Sequence, residues 1–164
     1  GLSALSFIGL SMLDFSTQQW LAWGLMVLLG FSAASALLAS TSAIMAAAPK
    51  EKAAAAGAIE TMSYELGAGL GIALFGLLLT RSFSAAIALP QGLESRVAEQ
   101  AASSIGEAVK VAQELPPALA ESVIQAAKTA FISSHSVALG SAGGMLLLLA
   151  IGIWFSLAKV PRSA

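Results

Sequence analysis

Long stretches without a charged residue constrain the fold of this chain more than any other feature. Residues 20–48 contain no Asp, Glu, Lys or Arg, and residues 135–158 contain none either. As helices rising 1.5 Å per residue, these stretches reach about 43 Å and about 36 Å, whereas the hydrocarbon core of a bilayer is about 30 Å thick. Because lipid offers the backbone no hydrogen-bond partners, such spans are helical. The sequence therefore predicts an all-α membrane protein.

Two further segments belong to the same pattern. Residues 1–13 are uncharged but reach only about 20 Å as a helix, so we expect a partial transmembrane helix there. Residues 53–81 are long enough to span but include Glu60 and Glu65. The prediction is three complete transmembrane helices and one partial one, over residues 1–13, 20–48, 53–81 and 135–158.

Residues 83–134 differ in kind, because their apolar residues recur at helical spacing among charged ones. The pattern is typical of amphipathic helices rather than of spans. We expect a helical hairpin broken at Pro116 and Pro117; an interfacial helix on lipid is the alternative, although it lacks a Lys-rich face. The two apolar stripes consist of Leu93, Val97, Ala101, Ile105, Val109 and Ala112, and of Leu119, Val123, Ala127 and Phe131.

The remaining composition excludes several functions. Charged residues make up 10% of the chain and the formal net charge is −1, so no basic surface for nucleic acid is expected. The absence of cysteine and the presence of a single histidine disfavour a metal site. Since no nucleophile and base are paired on any predicted span, we expect neither an enzyme nor a bound cofactor.

The basic residues predict the orientation of the chain. The turn with Lys50 and Lys52 and the tail with Lys159 and Arg162 contain four of the eight basic residues, whereas the connection at 14–19 contains none. The positive-inside rule then puts the turn and the C-terminal tail, residues 159–164, in the cytoplasm. Alternation of the spans makes the loop at 83–134 extracytoplasmic.

Glu60 and Glu65 are the candidate functional residues. A carboxylate at membrane depth is costly unless paired, hydrated or protonated, so its presence suggests function. Such a group can exchange a proton or bind an organic cation, which is the minimal chemistry of an antiporter. Five helical residues separate the two by about 140° around the axis. The alternative is a structural carboxylate hydrogen-bonded to a neighbouring helix.

Tyr64 lies one helical turn after Glu60, so both side chains share a face. It could donate a hydrogen bond to Glu60, present its ring to a cation, or pack in the bundle.

Glycines form the second group of candidate residues. Small residues at four-residue spacing let two transmembrane helices approach closely, and we expect that role here; a sliding or bending surface is the alternative. The residues are Gly67, Gly69, Gly71 and Gly76 in the third span, and Gly140 and Gly144 in the last.

Residues 53–76 (AAAAGAIETMSYELGAGLGIALFG) also carry a family resemblance. They resemble the penultimate helix of the fourteen-span drug:proton antiporters of the major facilitator superfamily, especially the quaternary ammonium and methyl viologen efflux pumps. Glu60 and Glu65 match two acids of that helix, whereas Thr61 replaces a second, adjacent acid found in some relatives. A mechanism that needs adjacent carboxylates is therefore not supported.

The resemblance implies the C-terminal portion of a multidrug efflux pump, with spans 11 to 14 and an external amphipathic hairpin. The implied activity is export of lipophilic cationic drugs or antiseptics, driven by the proton gradient across the bacterial inner membrane. Other spans of the same chain, the lipid bilayer, protons and cationic amphipathic molecules would be its partners. Two alternatives remain open: a helical membrane scaffold or assembly subunit, and a transporter of another substrate class.

Overall fold

Helices account for all regular structure in the computed structural model, which describes residues 1–13 and 17–158. The all-α class is therefore confirmed for these residues. The tail at 159–164 and part of the polar connection at 14–19 lie outside them. The elements are α1 (Leu2–Met12), α2 (Gln19–Ala47), a 3₁₀ turn (Lys50–Lys52), α3 (Ala53–Ala86), α4 (Ser95–Ser103), α5 (Ile105–Gln113) and α6 (Pro117–Ala158).

Three helical segments are long and apolar enough to cross a membrane: Gln19–Ala47, Lys50–Ala86 and Pro117–Ser156. α1 is apolar but shorter. These segments agree with an all-α membrane protein. The borders of the bilayer along each helix stay predictions.

Two helices extend beyond the predicted spans. α3 continues past residue 81 to Ala86, and α6 begins at Pro117 rather than near residue 135. α5 already ends at Gln113, and Pro117 is the first residue of α6, because the fixed φ of proline suits the first helical turn. No interruption separates the second amphipathic stripe from the last predicted span, so the two form one helix.

The chain divides into two compact units, which are described separately. The apolar unit consists of Gly1–Ile72 and Leu139–Ala164, as far as these are described. In it, α1 packs against α2, and a 2.8 Å hydrogen bond joins the hydroxyls of Ser3 and Ser32. Only 11% of the most apolar stretch of α2 is buried, so most of its surface needs lipid or further helices as a partner.

The loop unit consists of Ala73–Ala138 and has its own hydrophobic core. α4 and α5 contribute one side of this core, and the adjoining ends of α3 and α6 contribute the rest. Small side chains predominate, which lets the helices approach closely. The buried residues are Phe83, Ala101, Ala108, Val111, Ala112, Val123, Ala127 and Ala130.

The structure corrects the continuous stripe predicted across residues 93–112. Ser104 has extended backbone and separates α4 from α5, which resets the helical phase. Consequently Val111 is buried, whereas Val109 is 42% exposed. In α6 the buried position is Ala130 rather than Phe131. Most of the remaining stripe residues belong to the core of this unit or pack against it: Leu93, Val97, Ala101, Ile105, Ala112, Val123 and Ala127. The hairpin itself stays a prediction.

Candidate functional site

A tight turn joins α2 to α3 and brings their polar side chains to the same level. Pro49 has extended backbone and follows Ala48, where α2 ends. The backbone N–H of Lys52 then donates to the carbonyl of Pro49 at 2.8 Å, which closes the 3₁₀ turn that leads into α3. Residues equally distant from this turn therefore face one another across the helical hairpin.

Glu60 occupies such a position, and its partner is Thr41. The Thr41 hydroxyl, on α2, donates a hydrogen bond to Oε1 of Glu60, on α3. The two residues are 19 apart in the chain and both are half-buried. Sequence reasoning missed Thr41, although its equal distance from the turn was an available signal.

A cavity of about 410 Å³ lies beside Glu60 between the two helices. Its wall is mainly apolar, with two serine hydroxyls, the tyrosine ring and the carboxylate. A smaller adjoining cavity of about 290 Å³ has Thr41 and Thr61 in its wall. The larger cavity is lined by Leu37, Ser40, Ile44, Ala56, Ile59, Glu60, Ser63 and Tyr64.

Tyr64 lines both cavities and is 60% exposed. The hydrogen bond described for Glu60 comes from Thr41 and not from Tyr64, so the phenol ring stays available to a ligand. A carboxylate beside an aromatic ring in an apolar wall can attract an organic cation by charge and by its π-face. The arrangement is thus chemically suited to such a cation.

Glu65 is not part of this cavity. It is exposed and lines a different one, of about 600 Å³, whose described residues all come from α3. The placement of Glu60 and Glu65 in different cavities agrees with the roughly 140° around the helix axis that five helical residues predict. Among the described residues, α3 therefore presents its two carboxylates to different surroundings.

The glycines of α3 have open space around them. A Cβ built on Gly67, Gly69, Gly71 or Gly76 would meet nothing within 4 Å among the described residues. Their predicted role in packing against another helix is therefore still a prediction.

In α6 the close contact is shifted by one residue from the predicted glycine pair. Gly140 lies near Ser11, but Gly144 has open space beside it. Gly143 touches α1 instead: a Cβ there would lie 2.7 Å from Cγ1 and 3.0 Å from the backbone nitrogen of Ile8. Gly143 and Gly144 are neighbours in the sequence, and the sequence alone does not indicate which of them contacts α1.

His135, the single histidine, has a local role in the loop unit. Its Nδ1 donates to the carbonyl of Phe131 at 2.9 Å, and the two rings lie 4.1 Å apart. A cavity of about 150 Å³ adjoins it. In the parts of the chain that the structure describes, no three acidic or histidine side chains are grouped as metal ligands would be.

Glu107 anchors the exposed side of the loop unit. Its carboxylate accepts a 2.9 Å hydrogen bond from Gln100 and pairs with Lys110. The hydrogen bond from Gln100, and after it that from Lys110, lowers the pKa of Glu107 below its ordinary value. The hydrogen bond from Gln100 joins α4 to α5, whereas the pair with Lys110 lies within α5.

Comparison with known proteins places these features in a context. The chain is 74% identical over 98% of its length to the methyl viologen resistance protein SmvA of Salmonella typhimurium, and covers 32% of that protein. It is 38% identical over 57% of its length to the multidrug efflux pump LfrA of Mycolicibacterium smegmatis, covering 19% of it. Over 98% of its length it is 29% identical to the tetracenomycin C resistance and export protein of Streptomyces glaucescens, covering 31%.

The similarity is extensive along this chain but partial along its relatives. No family model matches the chain, and no solved structure matches it significantly. The chain spans about a third of the length of the resistance protein that it resembles at 74% identity. It is therefore homologous to a portion of proteins that are named for drug resistance, efflux and export rather than for an enzymatic reaction.

Proposed function

We propose that this chain is the C-terminal portion of a proton-coupled multidrug efflux transporter of the major facilitator superfamily. The observation that carries the proposal is the half-buried Glu60 carboxylate in the cavity between α2 and α3, beside the ring of Tyr64. The similarity to proteins named for methyl viologen resistance and multidrug efflux supports the same function. Lipophilic cations such as methyl viologen, cationic dyes and quaternary ammonium antiseptics are the proposed substrates.

The proposed topology follows the sequence. α2, α3 and the later part of α6 cross the bacterial inner membrane, and α1 belongs to a further span. Residues 83–134 lie outside the cytoplasm and the C-terminal tail lies inside, as the distribution of Lys and Arg favours. The exposed apolar side chains of α2 and α3 then face lipid and the remaining spans of the same protein.

The mechanism needs one carboxylate with two competing ligands. Ionised Glu60 binds the cation, with the Tyr64 ring against its apolar body. A proton that enters from the outside converts the carboxylate to the carboxylic acid, and the cation leaves because its counter-charge is gone. Release of that proton to the cytoplasm restores the ionised site. The proton gradient drives the cycle, and rocking of two helical bundles gives alternating access.

Glu65 and the glycines have secondary roles in the proposal. Glu65 is a second proton- or cation-binding group that another span completes, since it lies on a different side of α3. Gly67, Gly69, Gly71 and Gly76 form the smooth strip along which that span packs.

The test uses everted membrane vesicles that contain the intact gene product and an imposed pH gradient. Adding methyl viologen or a quaternary ammonium dye should collapse the gradient. Glu60→Gln should abolish the collapse, because the amide can neither ionise nor release a proton. Glu51→Gln, in the exposed turn, is the matched control and should leave the collapse unchanged.

Two results would contradict the proposal. If Glu60→Gln and Glu65→Gln both collapse the gradient as the wild type does, the glutamates are structural. If no cation collapses the gradient in the wild type, a scaffold or a transporter of another substrate class becomes the better interpretation.

A further inference from the structure

The Thr41 hydroxyl, on α2, is hydrogen-bonded to the candidate carboxylate of Glu60, on α3. We infer that Thr41 is a positioning residue that holds Oε1 of Glu60 and leaves Oε2 to the proton or the cation. The inference rests on the proposed function, since it concerns the same site. Neither the sequence motif nor the resemblance singles out this residue.

The hydrogen bond between Thr41 and Glu60 is compatible with proton exchange at the carboxyl group. A hydroxyl can donate to an ionised carboxylate, and it can accept from a protonated one after rotating. Thr41 can therefore stay bonded to Glu60 in both protonation states.

The other titratable groups of the apolar unit do not take the place of the hydrogen bond between Thr41 and Glu60. α2 carries no titratable side chain between Gln19 and Ala47. On α3, Tyr64 lines the same cavity, whereas Glu65 lines another. The charges of the turn, on Lys50, Glu51 and Lys52, lie two helical turns or more before Glu60 along the chain. Within the described part of the apolar unit, the Thr41 hydroxyl is the donor assigned to this carboxylate.

Thr61 provides a matched control in the same cavity. It also lines the cavity of about 290 Å³, but its hydroxyl donates to the backbone carbonyl of Gly57 at 3.0 Å. Threonine and valine have nearly the same shape, so Thr41→Val and Thr61→Val remove the same hydroxyl from different partners.

The experiment measures how cation-driven proton flux by the intact gene product in reconstituted vesicles depends on the cation concentration. Thr41→Val should raise the cation concentration for half-maximal flux by about 10-fold, because Oε1 of Glu60 loses the hydroxyl that holds it. Thr41→Ser keeps the hydroxyl and should restore the wild-type concentration. Thr61→Val should change that concentration much less, because the Thr61 hydroxyl donates to the backbone of its own helix.

Infrared difference spectroscopy makes the test independent of transport. The carboxyl stretch of protonated Glu60 is the band that Glu60→Gln removes, and its frequency should shift in Thr41→Val but not in Thr61→Val, because only Thr41 donates to this carboxyl group. An unchanged frequency in Thr41→Val would overturn the inference and give the residue a packing role. A frequency shift without cation-dependent flux in the wild type would instead reject the transport function and keep the positioning role.

Discussion

The apolar unit and the loop unit bury their apolar side chains in different ways. The loop unit segregates its residues, so that Val123 and the small alanines are buried while charged side chains stay outside. The apolar unit leaves most of its apolar surface uncovered: in α2, which lies wholly in this unit, only 11% of the most apolar stretch is buried. A unit of the first kind can form its own core in water, whereas one of the second kind needs lipid or other helices around it.

The same difference decides how costly a charged side chain is in each unit. In the loop unit, Glu107 is part-exposed and contacts two polar neighbours, Gln100 and Lys110. In the apolar unit, Glu60 is a half-buried acid between two apolar helices, and its contact described here is with the Thr41 hydroxyl. A charge in such a setting is expensive, and this is why Glu60 and not Glu107 is the functional candidate.

The largest expected effect comes from placing a charge in the core of the loop unit. Val123 is fully buried, so Val123→Asp should destabilise the unit by about 3–5 kcal/mol, because the carboxylate would lack a partner. Hydrogen exchange of the α4 and α5 amides in the intact gene product measures the loss. Val109→Asp, at a part-exposed position of α5, should have a much smaller effect. Equal effects would mean that this unit has no core of its own.

A crowded helix crossing should give the next largest effect, this time in the apolar unit. Gly143→Ala should lower stability by about 1–3 kcal/mol, because the added methyl group would overlap Ile8, including its backbone. Gly144→Ala adds the same methyl group to open space and should be neutral or slightly stabilising. Thermal unfolding in detergent compares the two. The contact between α1 and α6 would be refuted if Gly144→Ala were the more harmful change.

The next prediction concerns the N-terminal cap of α5, which stabilises the first turn of this helix in the loop unit. The Ser104 hydroxyl accepts the backbone N–H of Glu107 at 3.2 Å, so Ser104→Ala should weaken the start of α5 by about 1 kcal/mol. Faster exchange of the amides in its first turn is the expected readout. Ser103→Ala removes a hydroxyl that donates to the carbonyl of Gln100, and should leave those amides protected.

The smallest effect is the pH dependence that Glu107 gives to the loop unit. Its pKa in the folded state is lowered, so its contribution is complete above its ordinary value of 4.5 and is lost as the pH falls through the folded value. Limited proteolysis of the loop below pH 4.5 should therefore accelerate more in the wild type than in Glu107→Gln. Identical pH profiles would show that Gln100 and Lys110 do not favour the ionised form.

Several features of the fold were predictable because they depend on local chemistry. Uncharged runs as long as residues 20–48 have to be helical in lipid, and Pro116 and Pro117 mark a helix boundary wherever they occur. The different surroundings of Glu60 and Glu65 follow from helical geometry alone. By contrast, the end of α4 at Ser103 was not predictable, since the apolar periodicity continues across it.

What the sequence by itself determined is the helical character of the chain, its apolar spans, and the presence of an acid and a tyrosine on one face of α3. The tertiary structure decided which residues meet: Thr41 as the partner of Glu60, Gly143 rather than Gly144 against α1, and Val111 rather than Val109 in the core. The physical reason is the same in each case. Periodicity specifies a face of one helix, but a contact depends on the rotation and crossing of two helices, and a change of one residue turns a side chain by about 100°.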